Sequence, residues 1–108
     1  MTREKLDNEI ERYTSRTPRS KRLHEEAARY MPGGSSRGTS YFDPYPNFID
    51  HGEGHYVHDV DGNRFLDFML NATSLIMGHA HPMIIQAIQE QAAKGTAFSA
   101  PTENQTRL

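Results

Sequence analysis

Gly52-Glu-Gly-His-Tyr-Val-His-Asp-Val-Asp-Gly-Asn-Arg-Phe-Leu-Asp67 is the stretch that decides the fold of this chain. Asp61-Gly62 stands between two β-rich runs, Tyr56-Val57 and Phe65-Leu66, and glycine supplies the positive φ that a tight hairpin turn requires. With Phe48-Ile49 as a third run, residues 48–69 are predicted to form a three-stranded antiparallel meander. Leu70, Ala72, Leu75, Ile76, Met77 and Gly78 follow with neither a helical nor an alternating period, and residues 70–80 are expected to be a buried connection. His81-Pro82 then opens a helix, because proline suits the first helical position. Ile84 and Ile88 continue its packing stripe, and Gly95 after Lys94 closes it.

Upstream, Leu6, Ile10 and Tyr13 form a narrow apolar stripe at helical spacing. Ser15-Arg-Thr-Pro18 interrupts it, since proline disfavours helix in the residue before it. Leu23, Ala27 and Tyr30 form a second stripe, with Ser20 as its expected cap and Pro32-Gly-Gly34 as its end. Residues 33–47 read as a loop; one of that length is functional or disordered. Downstream, Phe98-Ser-Ala-Pro101 is loop. Thr102–Leu108 starts a helix without a terminator, so the fold is expected to continue past Leu108.

Composition narrows the classes. A chain of 108 residues holds one small domain at most, and 35% hydrophobic residues is low for a free-standing one. The reading is a segment that packs on a larger body. Cysteine is absent, which excludes disulfides and thiolate metal sites. No apolar run reaches the roughly 18 residues of a membrane span, and the amino terminus lacks a secretory pattern, so a cytoplasmic, non-membrane protein is expected. Residues 1–30 carry eight Lys/Arg among six Asp/Glu, a mixture that suits solvated helices and not a nucleic-acid arm.

Six histidines raise the question of a metal. His55 and His58 are three apart and should leave opposite faces of a strand, with no Cys or Glu at zinc spacing beside them, so no metal site is assigned. Asp59, Asp61, Asn63 and Asp67 fail as a calcium loop: the glycine falls too early and position twelve is Leu70. They read instead as turn residues bonding local backbone. Gly33-Gly-Ser-Ser-Arg-Gly38 lacks the Lys-Ser/Thr of a phosphate loop. Its glycines let backbone approach a ligand, and Arg37 offers a planar fork for a carboxylate; a surface arginine on a flexible loop is the alternative.

Four pieces stand in register: Tyr30-Met-Pro-Gly-Gly-Ser-Ser-Arg37, the Gly52–Asp67 hairpin, Gly78-His-Ala-His-Pro82 and Lys94-Gly-Thr-Ala-Phe-Ser-Ala-Pro101. Over residues 20–108 this order and spacing resembles the amino-terminal region of class III pyridoxal-phosphate aminotransferases, most of all glutamate-1-semialdehyde aminomutases and β-amino-acid aminotransferases. Residues 1–19 take no support from the likeness.

The resemblance implies an α/β protein of fold-type I as the complete enzyme, working as a homodimer on amino acid and keto acid substrates. This segment is α+β. Residues 1–31 are its helical part, 32–47 a substrate-side loop, 48–69 the meander of the small domain, and 70–108 the passage toward the large pyridoxal-phosphate domain. The family's cofactor-bearing lysine and its aspartate partner lie outside the segment; Lys5, Lys21 and Lys94 match neither, and no catalytic or cofactor-binding residue is assigned here. By the same resemblance Arg37 receives a substrate carboxylate, Ser36, Thr39, Tyr41, Ala72 and Thr73 shape the pocket, and Phe98 and Ser99 reach the partner subunit's active site. Two departures matter. Ser35-Ser-Arg-Gly-Thr39 replaces the aminomutases' Asn-Ser-Pro-Val-Arg, and Ala72 stands where relatives usually place an aromatic ring, which widens the pocket unless a neighbour such as Tyr41 fills it. An aminomutase is the first alternative, and a non-catalytic interaction module the second.

Overall fold

The computed structural model describes residues 2–36, 38 and 41–107. Helices α1 (Arg3–Arg16) and α2 (Pro18–Ala27) are split at Thr17, whose φ of −129° and ψ of 45° leave the helical region. Pro18 takes the first position of α2, where a missing N–H costs nothing. Ser20 is not the cap of α2. It lies inside the helix, fully buried. The cap comes from the hairpin instead: the Asp61 carboxylate accepts the backbone N–H of Arg19 at 2.7 Å and of Ser20 at 3.0 Å, and the Ser20 hydroxyl at 2.8 Å. A negative charge at that helix end also meets the positive pole of the dipole. Helix α2 stops at Ala27, short of Pro32, so Tyr30 leaves the expected stripe and is 81% exposed.

The predicted meander is present as β1 (Ile49–Glu53), β2 (Tyr56–Asp59) and β3 (Arg64–Leu66), in the order β1-β2-β3 and antiparallel throughout. Gly54 (φ +55°) turns the first hairpin and Gly62 (φ +85°) the second. Asp59 folds the second turn, its Oδ1 accepting the N–H groups of Asp61 at 3.0 Å and Asn63 at 2.7 Å. Asn63 then reaches α1, donating to the Arg16 carbonyl at 3.0 Å. The acidic cluster is thus occupied in closing a turn and capping a helix. His55 sits in the first turn against Tyr56, while His58 stacks on His51 across β1 and β2 with ring centres 4.3 Å apart.

Among the described residues Tyr45 is the one large apolar side chain that is buried, at 3% exposure. The Tyr13 ring packs 5.2 Å from it, and the Tyr13 hydroxyl donates to the Tyr45 carbonyl at 2.8 Å and approaches Asn47 Oδ1. Burial, with Tyr45 alongside, pushes the Tyr13 phenol up to about 12. This junction fastens α1 to the loop that enters β1, giving residues 1–19 the anchorage that the resemblance did not supply.

Residues 70–80 do not form a buried connection in this chain. Leu70–Thr73 make one left-handed helical turn, with φ of 43°, 49°, 56° and 67°. Ile76 and Met77 beyond it are 89% and 56% exposed. Helix α3 (Pro82–Ala92) starts at its proline and ends before Gly95 (φ +109°), and α4 (Glu103–Arg107) follows. The stripe residues Ile84 and Ile88 are 45% and 57% exposed, because nothing among the described residues covers them. The chain exposes 9103 Å², against about 6,100 Å² for a compact protein of its mass. Its radius of gyration is 18.6 Å, against about 13 Å for a compact chain of this length. These residues set up an apolar surface that they do not close.

Candidate functional site

Two loops carry the expected pocket residues. The first descends from α2 through Pro32-Gly-Gly34. A Cβ on Gly34 would lie 2.7 Å from the His24 ring, so glycine there lets the loop cross the face of α2. The His24 ring lies between Tyr41 and Tyr45, at 6.1 and 6.3 Å, with Nδ1 enclosed and without a hydrogen bond among the described residues. Ser36 is exposed on this loop, while Arg37 and Thr39 lie outside the described residues. Tyr41 is 44% exposed, and its hydroxyl donates to Asp43 Oδ1 at 3.2 Å; that bond to a carboxylate raises its pKa.

The second loop is the left-handed turn. A left-handed conformation costs about 1–2 kcal/mol for each residue with a Cβ, so four in succession store several kcal/mol. Such strain persists where surrounding contacts over-determine it. Here Asp67 supplies them at the entrance: Oδ1 accepts the N–H groups of Met69 at 2.8 Å and Leu70 at 3.0 Å. Oδ2 lies 2.7 Å from His79 Nε2 at the exit. The His79 hydrogen bond, joined by the Leu70 and Met69 N–H groups, holds the Asp67 carboxyl below its ordinary range against the opposing effect of burial. Ala72 and Thr73 are exposed on this turn, presented outward from its tied base.

Among the described residues, the structure does not gather the expected set into one pocket. An apolar groove of about 670 Å³, lined by Tyr13, Met31, Phe42, Phe48, Phe65 and others, takes in Ser35 and Ser36 but not Tyr41, Ala72 or Thr73. Its size suits a small ligand. Among the described residues its walls are mostly apolar, and we read it as core surface left uncovered. Phe98 folds against Gly95, where an added Cβ would meet its ring at 2.8 Å, and remains 55% exposed, with Ser99 exposed beside it. Lys5, Lys21 and Lys94 are exposed on three separate segments. Sequence reasoning missed the Asp67–His79 pair. Its signal was present in the glycines at 52, 54 and 78: Gly52 faces the His79 ring, while Gly78 packs on the backbone of Gly54, which is hydrogen-bonded to His79.

The family model for class III aminotransferases matches residues 39–107. The chain belongs to the class III aminotransferases. Relatives of this class III chain include the glutamate-1-semialdehyde 2,1-aminomutase of Roseiflexus castenholzii, 47% identical over 96 residues, which cover 86% of this chain and 22% of that protein. A solved transaminase with PLP bound superposes with a TM-score of 0.82 at 43% identity, over 84% of this chain and 22% of its own. The β-phenylalanine aminotransferase of Variovorax paradoxus superposes with a TM-score of 0.84 at 36% identity, over 90% of this chain and 23% of its own. This class III chain thus spans about a fifth of the length of the relatives it matches.

Proposed function

We propose that this chain is the amino-terminal part of a pyridoxal-phosphate aminotransferase that moves an amino group from an amino acid, a β-amino acid among its donors, to a keto acid. The observation that carries the reading is the class III match over residues 39–107. The uncovered apolar surface supports a segment that completes its core against a larger body. The cofactor supplies an electron sink when bound. Residues of this chain do other work: Arg37 orients the substrate carboxylate, Ser36, Thr39 and Tyr41 line that side, and Ala72 and Thr73 form a low wall opposite. In a homodimer, Phe98 and Ser99 extend toward the partner's site.

The likeness to a β-phenylalanine aminotransferase supports the choice of donor. An aminomutase acting on glutamate-1-semialdehyde is the second reading, favoured by the 47% identity to such an enzyme. The complete protein with pyridoxal phosphate separates them: β-phenylalanine with 2-oxoglutarate should yield glutamate, and glutamate-1-semialdehyde should be left unconverted. The reverse pattern overturns the aminotransferase reading in favour of the mutase.

A further inference from the structure

The residues from Asp67 to His79 form a loop closed at its base by three ties. The side-chain pair joins the two ends at 2.7 Å. The His79 backbone is doubly bonded to the hairpin turn, donating to the Gly54 carbonyl at 2.7 Å and accepting from the Gly54 N–H at 3.0 Å. The Asp67 N–H donates to the His55 carbonyl at 2.8 Å. Glycines make the closure possible: a Cβ on Gly52 would lie 2.4 Å from the His79 ring, and one on Gly78 would lie 2.5 Å from the Gly54 carbonyl oxygen. The ionised carboxylate accepts only, so His79 Nε2 carries the proton of this bond. Compact loops with adjoining ends hold their shape through such internal contacts.

We propose that Asp67 and His79 are positioning residues for substrate binding: their bond locks the left-handed turn and so fixes where Ala72 and Thr73 meet the substrate. This rests on the reading above, in which those two residues wall the pocket. Asp67 acts at both levels, since one oxygen starts the turn and the other holds the histidine. Neither residue touches the substrate.

The test uses the complete enzyme loaded with pyridoxal phosphate and three variants, His79→Leu, His79→Gln and Asp67→Asn. Hydrogen exchange over Met69–Ser74 should quicken about tenfold in His79→Leu, with β1 and β2 changed less than about twofold. KM for the amino donor should rise about tenfold while kcat stays within about threefold, the signature of lost substrate positioning. His79→Gln places an N–H at similar reach and should restore both readings to within about threefold of the parent. Should His79→Leu fail to fold, Asp67→Asn carries the test, because it keeps an acceptor oxygen for Met69 and Leu70 while removing the charge that holds His79. Unchanged exchange at Met69–Ser74 overturns the proposal, as does quickened exchange without any change in KM. Equal damage in His79→Leu and His79→Gln, spread over the hairpin and over kcat, also overturns it, since that marks a merely structural role. A parent enzyme that transfers no amino group refutes the functional reading alone, and exchange then still decides whether the pair locks the turn.

Discussion

At Ala72 a strained backbone coincides with a proposed part in substrate specificity. In a right-handed helix, Ala→Gly costs about 1 kcal/mol. At φ +56° the sign should change, because removing the Cβ relieves about 1–2 kcal/mol of left-handed strain against a smaller entropy cost in the unfolded chain. Ala72→Gly should therefore leave the complete protein unchanged or stabilise it by up to about 1 kcal/mol, read from the denaturant midpoint; a loss of 1 kcal/mol contradicts the left-handed turn. The role proposed for Arg37 makes the complementary case in binding. Arg37→Ala should raise KM for donors that bear a carboxylate and spare simple amines, because it removes substrate binding and leaves cofactor chemistry intact. Equal loss for both donor classes contradicts its role. The residue types behind these predictions were legible in the sequence, but the conformation of Ala72 was not: alanine gives no warning of a positive φ, which is written in the Asp67 and His79 contacts twelve residues apart.

Among the elements, the sheet was the most legible, because Asp61-Gly62 and the β-rich runs on either side of it state it locally. Helix starts were less so. Ser20 looked like a cap by position, yet the cap of α2 is Asp61, 41 residues away in sequence. That carboxylate has a testable pH signature. Burial works to raise its pKa, but the N–H groups of Arg19 and Ser20 and the Ser20 hydroxyl outweigh it, and the net shift is downward. A depressed carboxyl adds stability above its unfolded value of about 3.9 and loses it as pH falls through the lower folded value. Asp61→Ala should therefore lower the protection of the first turn of α2 by about 1–2 kcal/mol at pH 7. By hydrogen exchange corrected for intrinsic rates, parent and variant should converge as the pH drops below about 4. Equal protection at pH 7 contradicts the cap.

For the whole molecule, the apolar-poor composition and the expected helical stripes pointed to a segment that packs on something larger, and the exposed surface agrees. An excess of about 3,000 Å² over a compact chain is the scale of an obligate interface. That is also why the pocket was only partly legible. Motif spacing placed its residues along the chain, but the walls that would bring Ser36, Tyr41 and Ala72 toward one substrate are not among the described residues. The most direct measurement is the intact mass of the protein purified from its source, taken under denaturing conditions after borohydride reduction. The account predicts a chain several times the mass of Met1–Leu108 bearing a reduced pyridoxyl group. A bare mass equal to Met1–Leu108 would contradict it and leave an interaction module in its place.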